Sequence, residues 1–152
     1  MPEIDSELEL ALNYLDHNKD ESLKRLFDIL KIPSISTQEK YSKDCLNAAN
    51  WFVEQLKDIG FDASIRETNG HPMVVAHFEQ EGPHFLFYGH YDVQPIDPIE
   101  LWNHDPFEPK IEKSHNGEII KARGASDDKG QVMTFIEAVS YTHLRAHETF
   151  HD

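Results

Sequence analysis

Four residues carry the types and spacings that suit metal chemistry. His90 and Asp92 stand two apart, just after the apolar run Phe85-Leu86-Phe87-Tyr88-Gly89. Positions i and i+2 of a strand point the same way, and at a strand end an aspartate can fold back onto one imidazole nitrogen. That contact fixes tautomer and ring angle and leaves the other nitrogen for a metal ion. His90 therefore reads as a metal ligand and Asp92 as the group that orients it. The second pair is Asp127-Asp128, set between Gly124 and Gly130 at the mouth of a predicted helix. Adjacent carboxylates repel each other, and a bound dication relieves the repulsion. Plainer readings stand beside these. His-x-Asp is a short pattern that chance supplies freely, and acidic residues before a helix serve as caps.

Other chemistries fit less well. The glycines around Asp127-Asp128 follow neither nucleotide-binding fingerprint, and two carboxylates repel phosphate. Ser34, Ser36 and Ser126 lie outside any Gly-x-Ser-x-Gly setting. Cys45 has no histidine near it in sequence, and no His-Glu-x-x-His occurs.

The whole chain is acidic. Its 152 residues include 28 Asp and Glu against 14 Lys and Arg, a net charge of -14. Such a surface repels nucleic acid and anionic membrane, so neither is expected as a partner; solubility is the plain meaning of the excess. A single cysteine excludes an intramolecular disulfide, and its place in an amphipathic pattern predicts a small core residue. The start Met1-Pro2-Glu3-Ile4-Asp5 has neither a basic segment nor an apolar run. No stretch has the length needed to span a bilayer, and a cytoplasmic location is expected.

The elements that must position these residues fall into two halves. Leu8, Leu12 and Leu15 recur at helical spacing, and Leu23, Leu26, Phe27 and Leu30 make a second apolar face that Pro33 ends. These predict two helices, followed by the extended connector Ile32-Pro33-Ser34-Ile35-Ser36. A third helix is predicted over residues 40–59, burying Leu46, Ala49, Val53 and Leu56, with Gly60 closing it. The period then changes. Ala63-Ser64-Ile65-Arg66 alternates, Asn69-Gly70 signals a turn, and Met73-Val74-Val75-Ala76 and Phe85-Leu86-Phe87-Tyr88 read as strands buried on both faces. A proline-punctuated loop follows over residues 95–109. Asn116-Gly117 predicts a hairpin, and a helix is predicted from Gly130. The expected class is α/β, a mixed and mostly parallel sheet flanked by helices. In such sheets ligands bind beyond the carboxyl ends of strands, where His90 and Asp92 stand.

Three segments carry a family resemblance. GHYDVQP at residues 89–95, WNHDPFEP at 102–109 and RGASDDKGQ at 123–131 resemble, in order and separation, motifs of the zinc-dependent dipeptidase and deacylase family. That family includes carnosinases, acetylornithine deacetylase and succinyl-diaminopimelate desuccinylase. The likeness runs over residues 21–137, takes in Ile32-Pro33-Ser34-Ile35-Ser36, and favours the dipeptidase branch. It implies an incomplete catalytic domain that hydrolyses the amide bond of dipeptides or N-acyl amino acids through metal-activated water. It implies His90 on one metal, Asp92 behind it as the catalytic orienting residue, and Asp127 bridging two divalent ions, zinc before cobalt or manganese. A cis peptide bond is expected between Asp127 and Asp128, with Lys129 and Gly130 shaping the turn. A small peptide or N-acyl amino acid is the expected substrate, and a homodimer of the full-length protein is a further expectation. The family's glutamate base and remaining ligands have no match here, since Glu137 and Glu148 stand alone. This chain is thus expected to be an N-terminal fragment, inactive alone. The alternative is a non-catalytic binding homologue on the same scaffold.

His143, His147 and His151 would form one histidine stripe on a helix. However, residues 139–149 resemble the in-frame translation of a common transposase sequencing adapter. Residues 138–152 are therefore expected to be an adapter-derived tail, with native sequence over 1–137, and the stripe is set aside.

Overall fold

A computed structural model describes residues 3–148, with side chains described for 8–142. Helix α1 spans Glu3–Leu30. The two predicted helices run together because no glycine or proline separates them. At the join, His17 Nδ1 lies 2.6 Å from the Asn13 carbonyl and Asn18 Nδ2 donates to the Tyr14 carbonyl at 2.9 Å, both within the helix. Only the second half of α1 is core. Ile29 and Leu30 are fully buried, whereas Leu8, Leu12 and Leu15 are about half exposed. A single turn of 3-10 helix, Glu39–Tyr41, leads into α2, Ser42–Asp58. Cys45, Ala48, Ala49, Phe52 and Val53 are buried on α2, while Leu46 lies outside that face and is exposed. Gly60 takes φ +94 after the helix, a conformation that glycine adopts without a Cβ clash.

Strands β1, Asp62–Arg66, and β2, Met73–His77, pair antiparallel around the Asn69-Gly70 turn. Strands β3, Lys110–Ser114, and β4, Gly117–Lys121, form the second hairpin as the Asn-Gly signal predicts. Helix α3 spans Lys129–Glu148 and continues without a break through residue 138. The core joins Ile29, Ala48, Phe52, Met133 and Ile136, so α1, α2 and α3 meet on one another.

The α/β class is as expected, yet the parallel sheet is not assembled among the described residues. The described sheets are the two antiparallel hairpins, and one parallel bridge joins Ile35 to Val93. Residues 85–88 form no strand, and Phe85, Leu86 and Tyr88 are 91%, 97% and 85% exposed. Strand β2 is half exposed instead of buried on both faces. The reason is common to both segments. A strand takes its hydrogen bonds and side-chain cover from neighbours, and β1 is the only partner that β2 has among the described residues. Phe87 is held differently, stacking on Phe135 of α3 with ring centroids 3.8 Å apart.

Candidate metal centre

Three segments distant in sequence converge on His90. The connector after α1 supplies the support. Ser34 Oγ donates to the Tyr91 carbonyl at 2.6 Å, and the Val93 amide donates to the Ser34 carbonyl at 2.9 Å. Residues 91–93 thus run beside the connector, and Val93 is buried. Tyr91 also donates its phenol hydrogen to the Pro72 carbonyl, ahead of β2.

The turn before α3 supplies the second segment. Gly130 N donates to the Gly124 carbonyl at 3.3 Å, closing the turn. A Cβ at Gly130 would lie 2.1 Å from the Ala125 carbonyl oxygen, so only glycine fits there. Gly124 takes φ +85. The Asp127–Asp128 peptide bond is cis, as is the bond from Asp97 to Pro98. Lys129 is fully buried and reaches across to α1, donating Nζ to the carbonyls of Ile29 at 3.0 Å and Ile32 at 2.7 Å. A cation there complements the carboxyl end of the helix. Burial pushes the Lys129 ammonium down to about 7, with Cys45 and Asp92 pulling the other way.

At the centre, His90 Nδ1 lies 3.1 Å from both the carbonyl and Oδ1 of Asp92, and Nε2 lies 3.1 Å from Asp127 Oδ1. The His90 amide donates to Asp128 Oδ2 at 3.0 Å. Asp128 therefore ties the two motifs together, which is more than the capping role available to an acid before a helix. Gly89 permits this approach, because a Cβ there would meet Val132 Cγ2 at 2.5 Å and Asp128 Oδ2 at 3.1 Å. Burial lowers the His90 pKa, but the Asp92 carbonyl and carboxylate, Asp127 and Asp128 outweigh it, and the net direction is upward.

The donor chemistry suits a cation. With Nδ1–H directed at Asp92, the Nε2 lone pair faces a carboxylate oxygen 3.1 Å away. Two acceptors at that distance need a proton or a metal ion between them. Neighbouring donors around a tetrahedral zinc ion with bonds of roughly 2.0–2.1 Å stand about 3.3 Å apart, close to the spacing here. Asp127 is 80% exposed and His90 39%, so an ion has access. His90 and Asp127 are thus the residues able to hold a metal. Among the described residues no group of three or more His, Cys, Asp or Glu forms a fuller set.

Other residues singled out in the sequence lie elsewhere. Cys45 is buried in α2. Glu137 is engaged by Arg25, whose Nε and Nη2 both donate at 2.7 Å, and by the Ser22 hydroxyl at 2.7 Å. Burial raises the Glu137 pKa, but Arg25 and Ser22 hold it below the ordinary range, so it serves as a structural tie. The loop over 95–109 is strapped down by Arg123, which donates to the Pro95 carbonyl at 2.9 Å and lies over the Trp102 ring. The side chains of His143 and His147, and all of His151, lie outside the described residues. Ser36, a candidate nucleophile and part of the connector by sequence, instead donates its hydroxyl to Asp92 Oδ2 at 2.5 Å, a contact that no local pattern signals.

Residues 86–149 match the model of peptidase family M20/M25/M40. Over that stretch, which is less than half of the chain, the sequence is similar to this peptidase family. It is 29% identical over 147 residues to a Cys-Gly metallodipeptidase of Candida albicans, covering 87% of this chain and 30% of that protein. It is 37% identical over 87 residues to a succinyl-diaminopimelate desuccinylase of Alkalilimnicola ehrlichii, covering 57% of this chain and 22% of the relative. The solved structure of human carnosine dipeptidase 1 superposes with a TM-score of 0.75 at 27% identity, covering 93% of this chain and 31% of that one. The chain thus spans less than a third of the length of these M20/M25/M40 relatives. No described helix is long and apolar enough to cross a membrane.

Proposed function

We propose that this chain is the N-terminal part of a metal-dependent amide hydrolase acting on dipeptides or N-acyl amino acids, with the dipeptidase branch favoured. One observation carries the reading: a single imidazole lies between an orienting carboxylate on Nδ1 and an exposed carboxylate at Nε2. In this reading His90 and Asp127 would hold divalent metal, with zinc the expected ion. When bound, such ions polarise a scissile carbonyl and lower the pKa of a water molecule. The chain's own contribution is positional. Asp92 holds the proton on Nδ1 of His90 and keeps Nε2 free to bind. Asp128 fixes the backbone of His90, and Gly89, Gly124 and Gly130 allow the two motifs to approach. Glu137 does not act as the base in this reading, because Arg25 and Ser22 hold its carboxylate.

The same reading makes residues 1–137 part of a catalytic domain and residues 138–152 an adapter-derived tail. Sequencing the locus tests that division; an intact native frame through residues 139–149 removes it. The same reading takes a small peptide or N-acyl amino acid as substrate and a cytoplasmic location, and the acidic surface disfavours nucleic acid or anionic membrane as partners. For the activity, the full-length protein is assayed on dipeptides before and after a chelator, then with zinc restored. Loss and recovery of hydrolysis are expected, and chelator-insensitive hydrolysis overturns the reading. Metal binding without turnover of any dipeptide or N-acyl amino acid selects the non-catalytic homologue instead.

A further inference from the structure

The geometry points to Ser36 as a positioning residue that fixes the Asp92 carboxylate, and through it the His90 imidazole, for metal binding. The inference rests on the reading of His90 as a metal ligand. Asp92 uses its two carboxylate oxygens differently. Oδ1 faces His90 Nδ1 at 3.1 Å, and Oδ2 accepts the Ser36 hydroxyl at 2.5 Å. A carboxylate held at one oxygen alone can still swing about χ2, a broad and roughly two-fold torsion. With both oxygens engaged, that freedom is removed. The backbone that carries this hydroxyl is itself tethered, because the Ser36 carbonyl lies 2.8 Å from His71 Nε2, at the turn between β1 and β2. A chain of contacts therefore runs from His71 through Ser36 and Asp92 to His90.

Ser34 provides an internal control. It lies two residues earlier on the same connector, is fully buried, and bonds only to backbone, through its hydroxyl to the Tyr91 carbonyl and through its own carbonyl to the Val93 amide. Loss of its hydroxyl should loosen the register of the two segments without releasing the Asp92 carboxylate. Ser36 reaches the carboxylate itself, and the two serines separate support of the fold from support of the ligand.

The test uses the full-length protein and two readouts. Zinc affinity is measured by chelator competition, and the His90 ring nitrogens are followed by NMR in the metal-free protein. Replacing a partner that orients a ligand typically weakens metal binding about 10–100-fold. Ser36 acts one group further out, so Ser36→Ala is expected at the lower end, about 10-fold. His90 should also lose its defined Nδ1–H tautomer signal. Ser36→Thr keeps the hydroxyl and should restore both. Ser34→Ala should lower the melting temperature yet leave the tautomer signal in place. If Ser36→Ala fails to fold, Ser36→Cys preserves the shape with a weaker donor and should bind zinc more weakly than the parent and show a weakened Nδ1–H tautomer signal. Parental zinc affinity and tautomer signal in Ser36→Ala, or in Ser36→Cys where that is the variant that folds, overturn the role of Ser36. His90→Ala with undiminished zinc affinity instead removes the metal reading on which the role depends.

Discussion

The role proposed for His90 rests on what lies on each side of its ring. Asp92 was legible as its partner because the two residues stand two apart in sequence and the contact is local. Asp127 was legible as a carboxylate suited to a cation, and only the fold brings it to 3.1 Å from Nε2. The contacts of Ser36 and His71 were not legible. They join positions 56 and 35 residues apart, and no local periodicity encodes such pairs. Two predictions belong at this scale. In the full-length protein His90→Ala should abolish metal-dependent hydrolysis, checked by steady-state assay. Asp92→Asn should reduce it, because an amide can present NH₂ to the imidazole and favour the wrong tautomer; parental activity in this variant would rule out the orienting role.

Among the elements, α3 is fixed to α1 by Glu137, Arg25 and Ser22. Charged hydrogen bonds of this kind contribute roughly 1.5–3 kcal/mol, and Glu137→Gln should destabilise the fold by about that amount in chemical denaturation at neutral pH. The glutamate pKa is depressed in the folded state, so its contribution is present above the unfolded value, about 4.3. It is lost as pH falls through the lower folded value. The stability gap between parent and Glu137→Gln should therefore narrow below about pH 4.3; a gap unchanged with pH would contradict the assignment. The turn before α3 allows a second test. Gly130→Ala places a Cβ against the Ala125 carbonyl, and such overpacking costs about 1–3 kcal/mol or more. Local pattern revealed the β3–β4 hairpin and α2 well, since turn chemistry and apolar spacing act within a few residues. It misjudged the join within α1 and the burial of Leu46, which is exposed, because burial depends on what packs opposite.

At the scale of the molecule, the missing cover is concentrated at residues 85–88. Phe85, Leu86 and Tyr88 stand exposed beside a cavity of about 310 Å³ lined by Phe52, Leu56, Val74, Phe135 and Ile136. An exposed apolar segment without strand partners promotes self-association. For the 152-residue chain expressed alone, sedimentation should detect aggregation. Leu86→Lys should reduce it while changing stability by no more than about 0.5 kcal/mol, and equal aggregation in the variant would place the sticky surface elsewhere. The buried-strand expectation for this stretch followed from its apolar run, but burial needs neighbours that composition does not supply. The central claim remains that His90 and Asp127 hold a metal ion between them. Its most direct test is zinc titration of the metal-stripped full-length protein beside His90→Ala and Asp127→Asn. The account predicts tight binding by the parent and a loss of at least about 10-fold in each variant; parental affinity in both variants would contradict it.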